Sequence, residues 1–449
     1  MKNKKKVVGI IIAVVILLLV LVTVLVVTTM SNSAKEKEAQ VVEEEKEETK
    51  TQEIVLADNK YMQVETDASG DKVPVPNGFV GSNATGENEI DTGFVIYELN
   101  EGESKDTVEI NDANKDEAQT SRNQYVWVPV EDTSKFYGTD ANGKKWGKIY
   151  NFTTRTNSSN TFDEKTGTYA NNWRESYGVM SISSSKNYRE PEVLRSYDTP
   201  SYLKQYGVSE DNMHDFIMRQ EIDFSKMIDS VEKYGGFYIG RYETGDLSKE
   251  QVVVRKGNTD INYTTWYNAY EKCKTLSDNN NNIETGLIWG NQWDRTLMWL
   301  IESGAKSKEE VISDSRSWGN YYNATFTYTN SSGVTATKNQ NNSTRIPTGS
   351  TEYTKVNNIY DLAGNVWEWT MEAYSAHSRS FRGGSSYYSG AGEPACERSI
   401  DDPINSSPYG SDDNLRLQAR TLYKVATSAL NGNATFRLSS QKHETCEEF

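Results

Sequence analysis

Asn358-Ile359-Tyr360-Asp361-Leu362-Ala363-Gly364-Asn365-Val366-Trp367-Glu368-Trp369-Thr370, with Arg382-Gly383-Gly384-Ser385 after it, is the stretch on which the reading of this 449-residue chain turns. Two acids, Asp361 and Glu368, flank a glycine-containing turn. Carboxylates together with turn carbonyls are the hard oxygen ligands that calcium takes. The same residues have a second reading, in which Asp361 caps the turn and Glu368 pairs with Arg382. Spacing leaves both open.

Upstream, the chain reads as α+β with long polar loops. Val73-Pro74-Val75-Pro76 is extended, because the residue before a proline is pushed away from helix. Gly93-Phe94-Val95-Ile96-Tyr97 and Tyr125-Val126-Trp127-Val128-Pro129-Val130 carry the β-branched and aromatic residues of strands. Residues 100–123 between them read as an acidic loop. Residues 131–221, rich in Ser, Asn, Tyr and Gly, read as an insertion. Asp223 is placed to cap a helix with Phe224, Met227, Ile228 and Val231 at i, i+3, i+4 and i+7. Gly235-Gly236 ends it before the strand Phe237-Tyr238-Ile239-Gly240-Arg241-Tyr242. Thr264 or Thr265 caps a helix with Trp266, Ala269, Tyr270 and Cys273 on one stripe, which makes Cys273 a small buried hydrophobe. A third helix over 292–303 turns Trp293, Leu297, Leu300 and Ile301 inward and stops at Gly304. Ser307-Lys308-Glu309-Glu310 has the form of a capping box. Residues 321–349 read as a long surface segment.

The 358–370 run and its Arg-Gly-Gly-Ser resemble the signature of the formylglycine-generating-enzyme (sulfatase-modifying-factor) family, whose domain has a C-type-lectin-like fold. Residues 236–243 resemble that family's strand, 263–273 its Trp-containing helix and 285–299 its next helix, in order. The resemblance spans 73–423, with 131–221 as an insertion and 424–449 as an extension. It implies an α+β, C-type-lectin-like domain. It also implies a structural calcium held by the Asp361 side chain, the Gly364 and Val366 carbonyls and the Glu368 carboxylate. The oxidising members place two cysteines shortly after the Gly-Gly-Ser, where they bind copper, a metal that asks for soft thiolates. Here those positions fall near Tyr388 and Glu393. Cys396 stands alone beyond them and reads as structural. No copper is expected, and the family's oxidase chemistry is expected to be absent.

The segment after Arg382 reads as a binding face. Over 382–423, short Ser, Tyr, Asp and Asn patches alternate with fixed-looking landmarks such as Arg-Gly-Gly, Pro-Ala and Arg-Thr-Leu-Tyr. This is similar to the variable proteins diversified by retroelements, which use the fold as a frame for changeable residues; ordinary polar loops are the other reading. Candidate ligand contacts are Ser386, Tyr387, Tyr388, Glu393, Asp401 and Asp402. With 27 Tyr and 10 Trp against 12 Phe, the aromatic balance suits a half-wet recognition surface as well as a core. The expected function is ligand binding. The alternative is an enzyme of the family with altered oxygen-dependent chemistry, against which the scattered histidines (His214, His377 and His443) weigh.

The N-terminus places these activities. Residues 1–6 hold four lysines and read as a cytoplasmic tail. Residues 7–30 carry no charge and are long enough for a helix across a bilayer core of roughly 30 Å. The lysines before it predict a cytoplasmic N-terminus and an extracellular bulk. The run exceeds the apolar core of a cleaved signal peptide, about 7–15 residues, so it reads as an uncleaved signal anchor of a single-pass cell-membrane protein. Residues 31–72 read as an acidic, solvated stalk. Of 48 basic residues the tail takes four, which leaves 44 against 64 acidic ones outside; the whole chain carries −16. So acidic a chain lacks the basic footprint of a nucleic-acid binder. The expected partners are the membrane, through Val7 to Met30, and an extracellular ligand or protein. Three cysteines rule out a disulfide-built scaffold.

Overall fold

The computed structural model describes residues 56–139, 145–150, 213–245, 252–258, 265–375 and 378–401, with isolated short strands between 162 and 187 and two strands over 418–425. The chain divides into two units, Met1–Glu53 and Ile54–Phe449, and every described residue belongs to the second. The expected anchor (7–30), most of the stalk, most of the insertion, Asp402 and the extension beyond 425 lie outside the described residues. Among those described, no helix is long and apolar enough to cross a membrane.

The elements run, in chain order, β1 (Met62–Thr66), β2 (Lys72–Pro76), β3 (Phe79–Gly81), β4 (Val95–Glu98), α1 (Lys115–Ser121), β5 (Gln124–Pro129), α2 (Met213–Tyr234), β6 (Gly236–Gly240), α3 (Trp266–Lys274), β7 (Ile283–Leu287), α4 (Gly290–Glu302), α5 (Lys308–Ile312), β8 (Phe326–Thr329), β9 (Thr335–Lys338), β10 (Glu368–Ser375), β11 (Ser378–Arg382), β12 (Arg398–Asp401), β13 (Gln418–Ala419) and β14 (Thr421–Val425). Helices and sheets both contribute, so the chain is of mixed α and β class. Six strands form an antiparallel sheet in the order β7-β14-β6-β5-β4-β3, and four form a second sheet in the order β12-β11-β10-β13. In the second sheet only β10 and β13 pair in parallel.

The larger sheet is buried on both faces, and strand alternation explains how. Val126 and Val128 of β5, Val95 and Tyr97 of β4, and Phe237 and Ile239 of β6 enter one core together with the inward stripes of α2, α3 and α4. Tyr125, Trp127, Ile96 and Tyr238 point the other way, into a second core with Val73 and Val75 of β2. Each fully buried Val or Phe contributes about 1.5–3 kcal/mol relative to exposure, so two cores on one sheet bind the layers strongly. Thr265 caps α3 by accepting from the Asn268 N–H, and Ser307 caps α5 in a capping box with Glu310. Gly235 ends α2 and Gly304 follows α4, both at positive φ. Cys273 is fully buried.

Several expectations change. Asp223 does not cap a helix: α2 begins at Met213, and the Asp223 carboxylate instead accepts from Tyr270 Oη (2.7 Å) and Lys274 Nζ (2.5 Å) of α3. The acid serves helix-to-helix packing, a long-range demand that local capping preference does not show. The segment 100–123 contains α1. The segment 321–349 contains the β8–β9 hairpin and buries Phe326, Lys338 and Ile346. Trp367 and Trp369, two residues apart and so on one face of an extended segment, are both buried: each ring packs against Phe381, and Trp367 also stacks on Tyr388.

Strand β14 fills the slot between β7 and β6, with Tyr423 opposite Thr285 on one side and Tyr238 on the other. A truncation ending at residue 417 therefore splits the main sheet. We expect the truncated protein to lose its cooperative thermal transition by near-UV circular dichroism. A sharp transition retained at the parent temperature would show the strand to be dispensable.

Candidate functional site

Arg382 closes β11 and Arg398 opens β12, and the two stand directly opposite each other in the strand register. Between them runs the loop 383–397. Like charges directly opposite destabilise a strand pair unless something compensates. Two buried acids do so here. Arg382 donates to Asp294 of α4 (2.5 Å) and to Glu372 of β10 (2.7 Å). Arg398 donates to Glu372 (2.7 Å) and also to Asp294. The four form a closed, alternating ring of zero net charge, with side chains 0–3% exposed. Charge-assisted, forked pairing of this kind is the strong form of the ion pair. The ring fixes both ends of the loop. It also corrects one reading of the signature: Glu368 sits opposite Arg382 in the backbone register, but the guanidinium goes to Asp294 and Glu372.

The signature turn is held by asparagines and by left-handed backbone. Asn357, Asn358, Asp361 and Asn365 all adopt positive φ, which Asn and Asp tolerate best among residues with a side chain. Gly364 is also at positive φ, and a Cβ there would fall 2.4 Å from the Asn320 carbonyl oxygen. The Asn365 side chain makes four hydrogen bonds, to Glu243, to both backbone groups of Ile346 and to Asn320. Its backbone carbonyl accepts from Ser386 N–H of the loop. The Asn358 amide reaches the carbonyls of Gly86, Thr92 and Gly93, tying the turn to the start of β4.

Asp361 and Glu368 are both fully buried. Asp361 Oδ2 accepts from Thr348 Oγ1 and from Gly349 N–H, each at 3.0 Å, so the carboxylate does cap a turn. The turn between them carries the Gly364 and Val366 carbonyls. The donor set is hard oxygen throughout, which suits calcium and not a thiophilic metal. Among the described residues no group of three or more His, Cys, Asp or Glu side chains gathers as metal ligands. Cys396 is fully buried and in no disulfide; burial pushes its thiol well above the ordinary range, which keeps it protonated and inert.

The six candidate ligand contacts part company. Tyr387 projects from the loop, 48% exposed. Tyr388 is half-buried and stacks on Trp367 at 5.4 Å. Ser386 and Glu393 are buried and turned inward: Ser386 Oγ donates to the Ser343 carbonyl, and Glu393 Oε2 accepts from Trp367 Nε1 at 2.6 Å. Asp401 ends β12 on its backbone register with Arg379, and Asp402 lies outside the described residues. A residue that sequence reasoning missed joins the face. Tyr322, 39% exposed, donates its N–H to the Tyr388 carbonyl, and Asn323 Oδ1 accepts from Gly390 N–H. The adjacent Tyr321 is fully buried, and nothing in a Tyr-Tyr pair tells which ring turns out.

Lys338 supports this turn from below. Its buried ammonium donates to the carbonyls of Tyr321 and Ala324 and lies over the Phe326 ring. Burial lowers its pKa to about 8, against the pull of the two carbonyls, which favour the charged form.

No family model matches the chain, and the search of curated proteins found no match. Among solved structures, variable protein 1 of Treponema denticola is similar, at 14% identity and a TM-score of 0.28, over 42% of this chain and 85% of that one.

Lys338 gives a pH prediction with a definite sign. Between pH about 8 and the ordinary lysine value of 10.5, the unfolded chain binds a proton that the folded protein lacks. The cost of burying the ammonium is thus fully present below pH about 8 and fades as the pH rises toward 10.5. Unfolding by urea from pH about 7 to about 10 should show the wild-type stability rising relative to Lys338→Met. A pH-independent difference between the two would contradict this.

Proposed function

We propose that the protein is a membrane-anchored, extracytoplasmic ligand-binding protein on a C-type-lectin-like scaffold of the formylglycine-generating-enzyme type, without oxidase activity. Its ligand face is the loop 383–397 with the adjoining turn at Tyr322. The observation that carries this reading is one loop's division of labour. Its ends are locked in a buried ion ring, its flanks are bonded to the signature turn, and Tyr387 alone of its aromatics projects half-exposed. An aromatic held on a rigid base binds at low entropic cost. In this reading the exposed positions of the loop are the ones a retroelement would diversify, and the ring and the asparagine contacts are the constant frame.

A structural calcium belongs to the same proposal. The Asp361 and Glu368 carboxylates and the Gly364 and Val366 carbonyls would hold it. The ion would supply positive charge to two buried carboxylates, whose desolvation is otherwise costly.

Topology and calcium are tested separately. On intact cells making the full chain, an extracellular protease should remove the domain after residue 56 while sparing a cytoplasmic reporter fused before Met1. A domain protected until the cells are broken overturns the topology. Chelation should lower the melting temperature, with recovery on adding calcium and no response in Asp361→Asn. A melting temperature indifferent to chelation removes the calcium site.

A further inference from the structure

Resting on the ligand-binding reading above, we propose that the Tyr322–Tyr387 face takes an uncharged, hydroxyl-rich ligand, a neutral glycan. Three chain segments build this face, and main-chain and side-chain hydrogen bonds knit them together. Tyr322 N–H donates to Tyr388 O, Asn341 N–H to Tyr322 O, Ser386 Oγ to Ser343 O, and Gly390 N–H to Asn323 Oδ1.

The chemistry of the face is narrow. Within 319–344 the one charged residue is Lys338, which is buried under the turn; within 383–392 there is none. This neutrality stands out in a chain carrying −16. Beside Gly390 stand Arg316 and Asp314, paired with each other at 3.8 Å, so they add no net charge to the face. A polyanion would find no unpaired cation in that pair and would be repelled by the rest of the molecule. A cationic partner would find the neighbouring carboxylate, Asp314, already paired with Arg316. What the face does offer is two tyrosine rings, 39% and 48% exposed, with Asn323, Asn341 and Asn342 on the same segments. Asn323 Oδ1 and Asn342 Oδ1 already accept from Gly390 and Thr344, which leaves the NH2 groups of those two amides to donate.

That combination matches a sugar. An aromatic ring takes the apolar C–H side of a pyranose, while amide NH2 groups donate to its hydroxyls. Two rings and a few amides fall short of the roughly 800 Å² per partner that a stable protein complex buries. They suit the smaller footprint of a few sugar units. The Tyr387 ring is also ordered in advance: it sits edge-on to Tyr388 at 5.5 Å, and Tyr388 is stacked on Trp367. Little side-chain freedom is then lost on binding.

The test uses the full chain in lipid nanodiscs, which avoids sugar-based detergents. The probes are immobilised neutral hexose and N-acetylhexosamine oligosaccharides, with sialylated and sulfated oligosaccharides as charged counterparts. We expect retention on neutral oligosaccharides, with Kd changing less than about twofold between about 50 and 500 mM salt. Tyr322→Ala and Tyr387→Ala should each weaken binding by about tenfold or more, with melting temperatures within about 2 °C of wild type. Tyr387→Phe, which keeps the ring, should stay within about threefold. Failure to bind any neutral oligosaccharide overturns the proposal, as does preference for the anionic ones with steep salt dependence. If a charged ligand is bound instead and Tyr387→Ala abolishes its binding, the ligand class is wrong while the ligand-binding face stands. If neither tyrosine substitution alters the binding of any retained ligand, the face itself is wrong.

Discussion

A ring of four buried charges, Asp294, Glu372, Arg382 and Arg398, is the constraint on which the candidate face depends. Moving a single ion into a protein interior costs several kcal/mol, and an isolated pair often fails to recover it. In a closed alternating ring each charge meets two opposite ones, and the sum is zero. That compensation exists only when α4, β10, β11 and β12 are all in place, because each supplies one member. The ring therefore acts less as a source of stability than as a condition on geometry. It forces the two strands that bound the loop 383–397 into one register, with Arg382 facing Arg398.

Given fixed ends, the loop is tied down further at particular points. Asn365 takes the Ser386 amide, Trp367 takes the Glu393 carboxylate, and the Tyr388 ring lies on Trp367. Gly384 is required where the chain doubles back, since a Cβ would fall 2.4 Å from the Glu393 carbonyl oxygen. Most of the loop's polar groups are thus spent on the protein itself. What remains outside is Tyr387 with the small residues Ala391 and Gly392, and beside them the Tyr322 turn, carried on the buried Lys338 ammonium. A loop that is largely interior can in this way present a small, rigid, uncharged surface.

Local rules in the sequence were enough for much of the scaffold. The alternation of Tyr125, Val126, Trp127 and Val128 marks a strand buried on both sides, and Thr265 and Ser307 are caps by composition and place. Cys273 on an apolar stripe is buried for the reason its neighbours are. The readings that changed are those set by partners far along the chain. Asp223 has the composition of a cap but answers to Tyr270 and Lys274 on another helix. Arg382 faces Glu368 across the strands, yet its partners include Asp294, 88 residues away. Ser386 and Glu393 look like surface polar residues because their type is polar, and they are buried because the signature turn offers each a partner. The Tyr322 ring has no local signal at all. Its exposure results from Tyr321 entering the core, a choice made by packing.

The ion ring closes the base of the loop. Equilibrium urea unfolding of Arg398→Met measures it, because the substitution keeps bulk and leaves Asp294 and Glu372 sharing one cation. The predicted loss is about 3–5 kcal/mol, the cost of leaving a buried charge uncompensated. A loss below about 1 kcal/mol, the range of an exposed surface pair, would contradict it.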